Sequence, residues 1–228
     1  MNIKGSRYNK EDFLVESSIS ASHVLHVGCT NSPNTKNRWD SGTLLHKRLC
    51  IENENSSDKI VGVDIDAEAI DWLGNKLPRE RILFGDAHHL DKVFPDEKFD
   101  LIIAGDVIEH LSNPGFFLEA CGKVLANDGS LIITTANSFG ITRFFKAFLG
   151  HEAVHDEHTA YFSPSTISRL AKLSGFSANK ISYYPMEKIT LSQGLNGILT
   201  FLIDKSFGSM MPWFSEGLIV ELNAERSS

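Results

Sequence analysis

A doubly wound, Rossmann-like α/β fold is predicted, with a mainly parallel seven-stranded sheet and helices on both faces. Three features of the sequence predict it. Short apolar runs alternate with helix-patterned stretches from Val24 onward. The runs end on a glycine, a carboxylate or another turn residue. No Ser/Pro/Gly-rich linker, internal repeat or low-complexity tract breaks the alternation. That pattern marks successive βαβ units. The 228 residues suffice for one large domain over 1–228. Within it, 1–22 reads as a helical or loop extension, and 138–165 and 188–216 read as insertions or a lid on the substrate side.

The strands follow in order. Val24–Val27 ends at Gly28, and Ile60–Ile65 closes on VGVDI. Ile82–Phe84 ends at Gly85-Asp86, Leu101–Ala104 at Gly105-Asp106, and Leu131–Thr135 just before Asn137. Ile181–Tyr184 and Leu218–Leu222 read as late strands. Asn113-Pro114 is an N-cap followed by proline at the first helical position. Phe117, Leu118, Cys121 and Leu125 then share one face, and Asn127-Asp128-Gly129 supplies turn chemistry. Ser163-Pro164 opens another helix through Ile167, Leu170, Ala171 and Leu173, which Gly175 closes. Leu191–Phe207 reads as an apolar helix that could cover a pocket mouth or pack on a second subunit, giving a homodimer.

Composition narrows the function. A net charge of −7, from 22 basic and 29 acidic side chains, argues against a broad nucleic-acid footprint and leaves room for a small basic pocket. Cys29, Cys50 and Cys121 form no CxxC pair, so neither a zinc ribbon nor a disulfide framework is supported. The odd count fits a reducing compartment. The first residues lack a signal peptide's apolar core, and no stretch reaches the ~18 apolar residues of a membrane span. A cytoplasmic protein is expected.

In open parallel sheets, ligands bind beyond the carboxyl ends of the strands. Gly28 lets backbone approach a ligand closely. Asp64 can accept from two ribose hydroxyls. Asp86 suits an exocyclic adenine amine, with the Ala87 amide facing a ring nitrogen. Asp106, Val107 and His110 follow the fourth strand.

VLHVGC, KIVGVDID, FGDA, FDLIIAGDVIEHL, DGSLIITTANSFG and HTAYFSPSTISRLAKLSGF occur in that order. Together they resemble the class I S-adenosylmethionine-dependent methyltransferases. More narrowly, they are similar to bacterial small-molecule methyltransferases carrying EHL. The resemblance covers roughly Val24 to Phe176. It implies S-adenosylmethionine as cofactor, S-adenosylhomocysteine as product, and a small-molecule acceptor. Position by position, Gly28, Cys29 and Thr30 would hold the methionine portion, and Asp64 the ribose, with Ile65 beside the adenine. Asp86 and Ala87 would bind the adenine. Gly105, Asp106 and Val107 would line the floor near the sulfonium. His110 would stand at the substrate entrance.

The family's acid and three alternating glycines read here as His26, Gly28, Thr30 and Ser32. Thr and Ser restrict φ and add bulk. The amino-acid end of the cofactor is therefore expected to be held in an altered way.

Each assignment has a plainer rival. Gly28 could serve only a tight turn, and Asp64 or Asp66 could be a helix N-cap. Asp86 could be a solvated turn carboxylate, Glu109-His110 a surface pair, and Cys29 a packing residue. His151, His155 and His158 would share a helix face, but no fixed zinc motif accompanies them, and no metal is expected. His158 either hydrogen-bonds its loop or, like His110, takes a proton from a substrate hydroxyl.

The leading expectation is methyl transfer to an oxygen, less so a nitrogen, of a glycan, lipid-linked or quinone-like acceptor. One alternative is a non-catalytic binding subunit, marked by a buried symmetric interface at Leu191–Phe207 together with a filled-in cleft. Another is a nicotinamide-dependent dehydrogenase, which would need a GxGxxG turn that GCTNSP does not supply.

Overall fold

The computed structural model describes residues 3–54, 59–152, 154–185 and 205–225. Seven strands form one sheet: β1 (Val24–Val27), β2 (Ile60–Asp64), β3 (Arg81–Phe84), β4 (Phe99–Gly105), β5 (Leu125–Ala136), β6 (Phe176–Tyr184) and β7 (Gly217–Ala224). Their order is β3-β2-β1-β4-β5-β7-β6. The first five run parallel, and β7 lies antiparallel between β5 and β6. Strand order reverses between β1 and β4, so the carboxyl ends there diverge and open a crevice.

Eight helices are described: α1 (Lys10–Ile19), α2 (Thr35–Asp40), α3 (Leu45–Glu52), α4 (Ala67–Lys76), α5 (Leu90–Val93), α6 (Pro114–Val124), α7 (Ile141–Phe148) and α8 (Pro164–Leu173). Residues 205–210 are also helical. The helical reading of Leu191–Phe207 lies outside the described residues up to 204.

The β-strand period of two sends alternate side chains to opposite faces. Leu25, Val27, Val61, Val63, Ile102 and Ile133 pack on one face with Leu90, Phe117, Cys121 and Ile167 from α5, α6 and α8. Val24, Ile60, Leu101 and Ile103 pack on the other face with Leu14, Val15 and Leu49 from α1 and α3. Because helices cover both faces, the central strands read as unbroken apolar runs.

The caps follow their residue types. Asn113 accepts from the Phe116 amide ahead of Pro114. Ser163 and Thr166 form a reciprocal capping box ahead of Pro164. Asp66 caps α4 by accepting from the Ala69 amide at 3.0 Å, which leaves Asp64 clear of that role.

β5 starts earlier than the sequence pattern implied. Asn127-Asp128-Gly129 falls inside the strand, because Leu125 pairs with Phe99 and both are buried. A Cβ on Gly129 would stand 2.9 Å from the Phe99 carbonyl oxygen, so glycine there permits the close pairing. No described helix is long and apolar enough to cross a membrane.

Candidate active site

A cavity of about 710 Å³ opens at the crevice between β1 and β4. The end of β1 contributes Gly28 to its wall, and the end of β2 contributes Asp64, Ile65 and Asp66. Asp86, Ala87 and His88 come from beyond β3. Gly105, Asp106, Val107 and His110 come from beyond β4. The structure thus brings nine of the expected residues to one cleft. Cys29 and Thr30 are fully buried behind that wall.

Gly28 has φ +75°, a conformation open to glycine at little cost. Its absent Cβ would lie 2.6 Å from Val107 Cγ2. Glycine there sets how closely the β1 and β4 ends approach.

The amides of the β1 loop point inward. Gly28 and Cys29 both donate to the Val63 carbonyl, at 2.9 and 3.3 Å. Thr30 donates to Asp64 Oδ2 from its amide at 2.9 Å and its hydroxyl at 2.8 Å. Asp64 Oδ1 accepts from the Ile65 and Asp66 amides. Four donors therefore converge on Asp64.

Asp86 accepts from the His88 amide and His88 Nδ1 through Oδ1, and from His89 Nδ1 through Oδ2. Burial works against its charge, but these donors hold its carboxyl below the usual range. Ile65, on the same wall as Asp64 and Asp86, is 65% exposed. An apolar side chain left to water on a cleft wall that also carries acceptors could face a purine ring.

Asp106 has φ +54°, a conformation uncommon for residues other than glycine. It is tied down by Lys10 Nζ at 2.6 Å, Thr134 Oγ1 at 2.8 Å and Tyr184 Oη at 2.9 Å. Burial would raise its pKa, but the Lys10 charge and these donors bring it down to about 2. Lys10, Thr134 and Tyr184 come from α1, β5 and β6, so nothing in local sequence pairs them with Asp106.

Glu109 is not on the surface. It is 1% exposed, with Oε1 accepting from the Ala136 amide. Burial and the nearby Asp106 charge push it up to about 8. Its carbonyl accepts from the amide and hydroxyl of Thr159, which also bonds the Leu111 carbonyl. Thr159 thereby hooks the histidine segment onto the turn after β4.

The described residues of that segment, 151, 152 and 154–160, are not helical. Clustering comes from the Thr159 hook instead. The His158 ring meets His110 edge-on at 4.6 Å between centroids, with His155 at 5.0 Å and Tyr161 at 5.3 Å. Burial first, and then the neighbouring His110, His155 and Arg143, lower His158 to about 4. Its ring is neutral near pH 7 and retains a lone pair. No group of three or more His, Cys, Asp or Glu among the described residues is arranged to hold a metal.

His26, at the family's acid position, is buried and stacks on His46, with Nδ1 atoms 3.2 Å apart. Burial lowers both pKa values, and the His46 charge adds to the effect on His26. Burial pushes the Cys29 thiol well up, as suits a packing residue.

Comparison with known proteins bears on this geometry. A family model described as a methyltransferase domain matches residues 42–133. The chain is 24% identical over 189 residues to a ubiquinone biosynthesis O-methyltransferase of Dechloromonas aromatica, covering 75% of this chain and 72% of that protein. It is 29% identical over 79 residues to a probable S-adenosylmethionine-dependent methyltransferase of Mycobacterium tuberculosis, covering 35% of this chain but only 28% of that protein. Among solved structures, it is similar to magnesium protoporphyrin IX methyltransferase from Synechocystis with bound SAH. The TM-score is 0.59 at 15% identity, over 95% of this chain and 82% of that one. At that identity the likeness is one of fold.

Proposed function

We propose that this chain is a class I S-adenosylmethionine-dependent methyltransferase that moves a methyl group onto a hydroxyl oxygen of a small aromatic acceptor. The single observation that carries the proposal is the open cleft. It runs from Gly28 through Asp64, Ile65 and Asp86 and ends at His110, whose ring meets His158 behind it. A filled-in cleft would have favoured a non-catalytic subunit.

The residues fit the cofactor. Ile65 offers an apolar face for the adenine. Asp86 and the Ala87 backbone would read its edge, and Asp64 and Asp66 would face the ribose. Gly105, Asp106 and Val107 would line the floor near the sulfur. When bound, the cofactor supplies an electrophilic methyl group.

The chain's own residues orient the acceptor and manage its proton. Alignment of donor and acceptor carries most of the rate in such transfers. His110 stands at the mouth, and His158 backs it through their ring contact. A neutral imidazole with a pKa of about 4 is a weak base. It is better matched to the acidic O–H of a phenol or enol than to an alkyl alcohol. That match, and the O-methyl transfer named for the Dechloromonas relative, support a quinone-like acceptor over a glycan.

Two measurements test the reading in sequence. Calorimetric titration with S-adenosylmethionine and S-adenosylhomocysteine, with NAD as control, should give micromolar binding, about −8 kcal/mol. S-adenosylhomocysteine release should then appear with dihydroxyarene acceptors and fall when His110 and His158 are replaced by Ala. Binding without turnover on any hydroxyarene, alongside turnover on amines, would reassign the acceptor to nitrogen. Unchanged turnover in both variants would remove the histidine base.

A further inference from the structure

We infer that Arg143 is a positioning residue for the histidine pair. Anchored by Glu216, its guanidinium backs the Tyr161 ring, and Tyr161 in turn holds the His158 ring against His110. The inference rests on the reading of those histidines given above and adds to it the residues that aim them.

No hydrogen bond at Nδ1 aims His158. That nitrogen is buried and has no partner among the described residues, whereas an imidazole is commonly oriented through the bond its second nitrogen makes. Ring contacts take over the task, with centroids at 4.6 Å for His110, 5.0 Å for His155 and 5.3 Å for Tyr161. His155 is exposed and shares the loop, so it offers no fixed surface. Its own amide donates to Tyr161 Oη at 3.1 Å, which makes Tyr161 the support for both histidines.

Backbone bonds fix the loop on either side of Tyr161. Thr159 bonds the Glu109 and Leu111 carbonyls, and the Phe162 carbonyl accepts from the Ser138 amide at 2.9 Å. They set where residue 161 stands but not how its ring tilts. Arg143 supplies that surface, with its guanidinium carbon 4.9 Å from the Tyr161 centroid. A planar, delocalised cation suits an aromatic face better than a compact ammonium does.

Arg143 is itself locked. Its Nη1 donates to Glu216 Oε2 at 2.7 Å and to the Asn137 carbonyl at 3.1 Å. Glu216 is 11% exposed, and its other oxygen accepts from the amide and hydroxyl of Thr142. A carboxylate just ahead of β7 thus pins the first turn of α7. The contacts then run from Glu216 through Arg143 and Tyr161 to His158 and His110.

Charge and position act together on His158. His110 faces it from the turn after β4, Asp106 from the end of β4, His155 and Tyr161 from its own loop, and Arg143 from α7. A nearby guanidinium disfavours the protonated imidazole, and so does exclusion of water. Loss of Arg143 or of the Tyr161 ring would relax the hold and let His158 protonate more readily.

The test reads the His158 ring directly. Imidazole nitrogen NMR, assigned by the signal missing in His158→Asn, follows protonation in the wild-type chain and in Arg143→Gln, Tyr161→Leu and Tyr161→Phe. The wild-type midpoint is expected at about 4. Arg143→Gln and Tyr161→Leu should raise it by about one pH unit. They should also lower kcat on a dihydroxyarene about tenfold while changing KM for S-adenosylmethionine less than about twofold. Tyr161→Phe keeps the ring and should match wild type in both readouts. Circular dichroism and urea midpoints identify any variant that has lost its fold. Arg143→Gln strands the Glu216 carboxylate, so Tyr161→Leu, which leaves that ion pair in place, carries the test if Arg143→Gln unfolds. A midpoint that stays near wild type in either folded variant, or that moves as far in Tyr161→Phe as in Tyr161→Leu, would overturn the inference. A raised midpoint with unchanged turnover would leave the positioning intact and remove His158 from the proton transfer proposed above.

Discussion

Thr30 donates to Asp64 Oδ2 twice, from its amide at 2.9 Å and its hydroxyl at 2.8 Å. With the Ile65 and Asp66 amides on Oδ1, four donors meet a carboxylate that offers about four lone-pair sites. Ribose hydroxyls must therefore compete with the Thr30 side chain for Asp64. Thr30→Val keeps the shape and removes that competitor. It should tighten S-adenosylhomocysteine binding several-fold while lowering folding stability by about 1.5–3 kcal/mol, the worth of a hydrogen bond to a charged group. Calorimetry and urea denaturation report the two effects separately. Weaker binding in Thr30→Val would show that the hydroxyl helps to present Asp64 to the ligand.

Gly28 and Val107 form the second tight relationship. Alanine at position 28 would bear φ +75°, costing about 1–2 kcal/mol for the left-handed backbone. It would also place Cβ 2.6 Å from Val107 Cγ2. Gly28→Ala should thus destabilise by more than the backbone cost alone and narrow the cleft. Adding Val107→Ala should recover the steric part and leave the backbone part. A double variant no more stable than Gly28→Ala would place the whole penalty in φ.

How much of this was legible follows from where the contacts lie along the chain. The strand ends were readable because apolar runs stop at Gly28, Asp64, Asp86 and Asp106, and the fold carries each such end to one crevice. The caps at Asn113 and Ser163 were readable because capping is local. The Asp106 anchors were not, because Lys10 is 96 residues away and Tyr184 is 78 away. The expected helical face for the histidines failed for a related reason. Thr159 bonds the Glu109 and Leu111 carbonyls 50 and 48 residues earlier, and this tether overrides local periodicity. Glu109 was visible within EHL, yet its burial was not, since charge pattern alone suggests a surface pair.

Glu109 gives a pH-dependent prediction. Burial, with the Asp106 charge, raises its folded pKa from 4.5 to about 8. Between those values the unfolded chain releases the proton while the folded chain keeps it. Stability therefore falls as pH rises through that window and levels off above it, by at most roughly 1.4 kcal/mol per pH unit. Glu109→Gln removes this titration. The variant's stability relative to wild type should increase steadily from pH 4.5 to 8 in urea denaturation. A difference that is flat across that range would mean Glu109 is ionised in the folded chain.

His158 titrates in the opposite sense. Burial, then the His110, His155 and Arg143 charges, lower its folded pKa to about 4, and Asp106 opposes them. The unfolded chain takes up a proton near pH 6.5, and the folded chain resists until about 4. Stability contributed by neutral His158 is thus full above 6.5 and is lost as pH falls toward 4. His158→Asn should lose less stability than wild type over that interval, while His26 and His46 titrate alike in both chains. The same depression governs catalysis. If His158 takes the acceptor's proton, the acid limb of kcat/KM for a hydroxyarene should fall near pH 4 to 5, and His158→Asn should abolish that limb along with most of the rate. An acid limb that survives unchanged in His158→Asn would take the role away from His158 and point to His110, which lines the cleft directly and meets His158 edge-on.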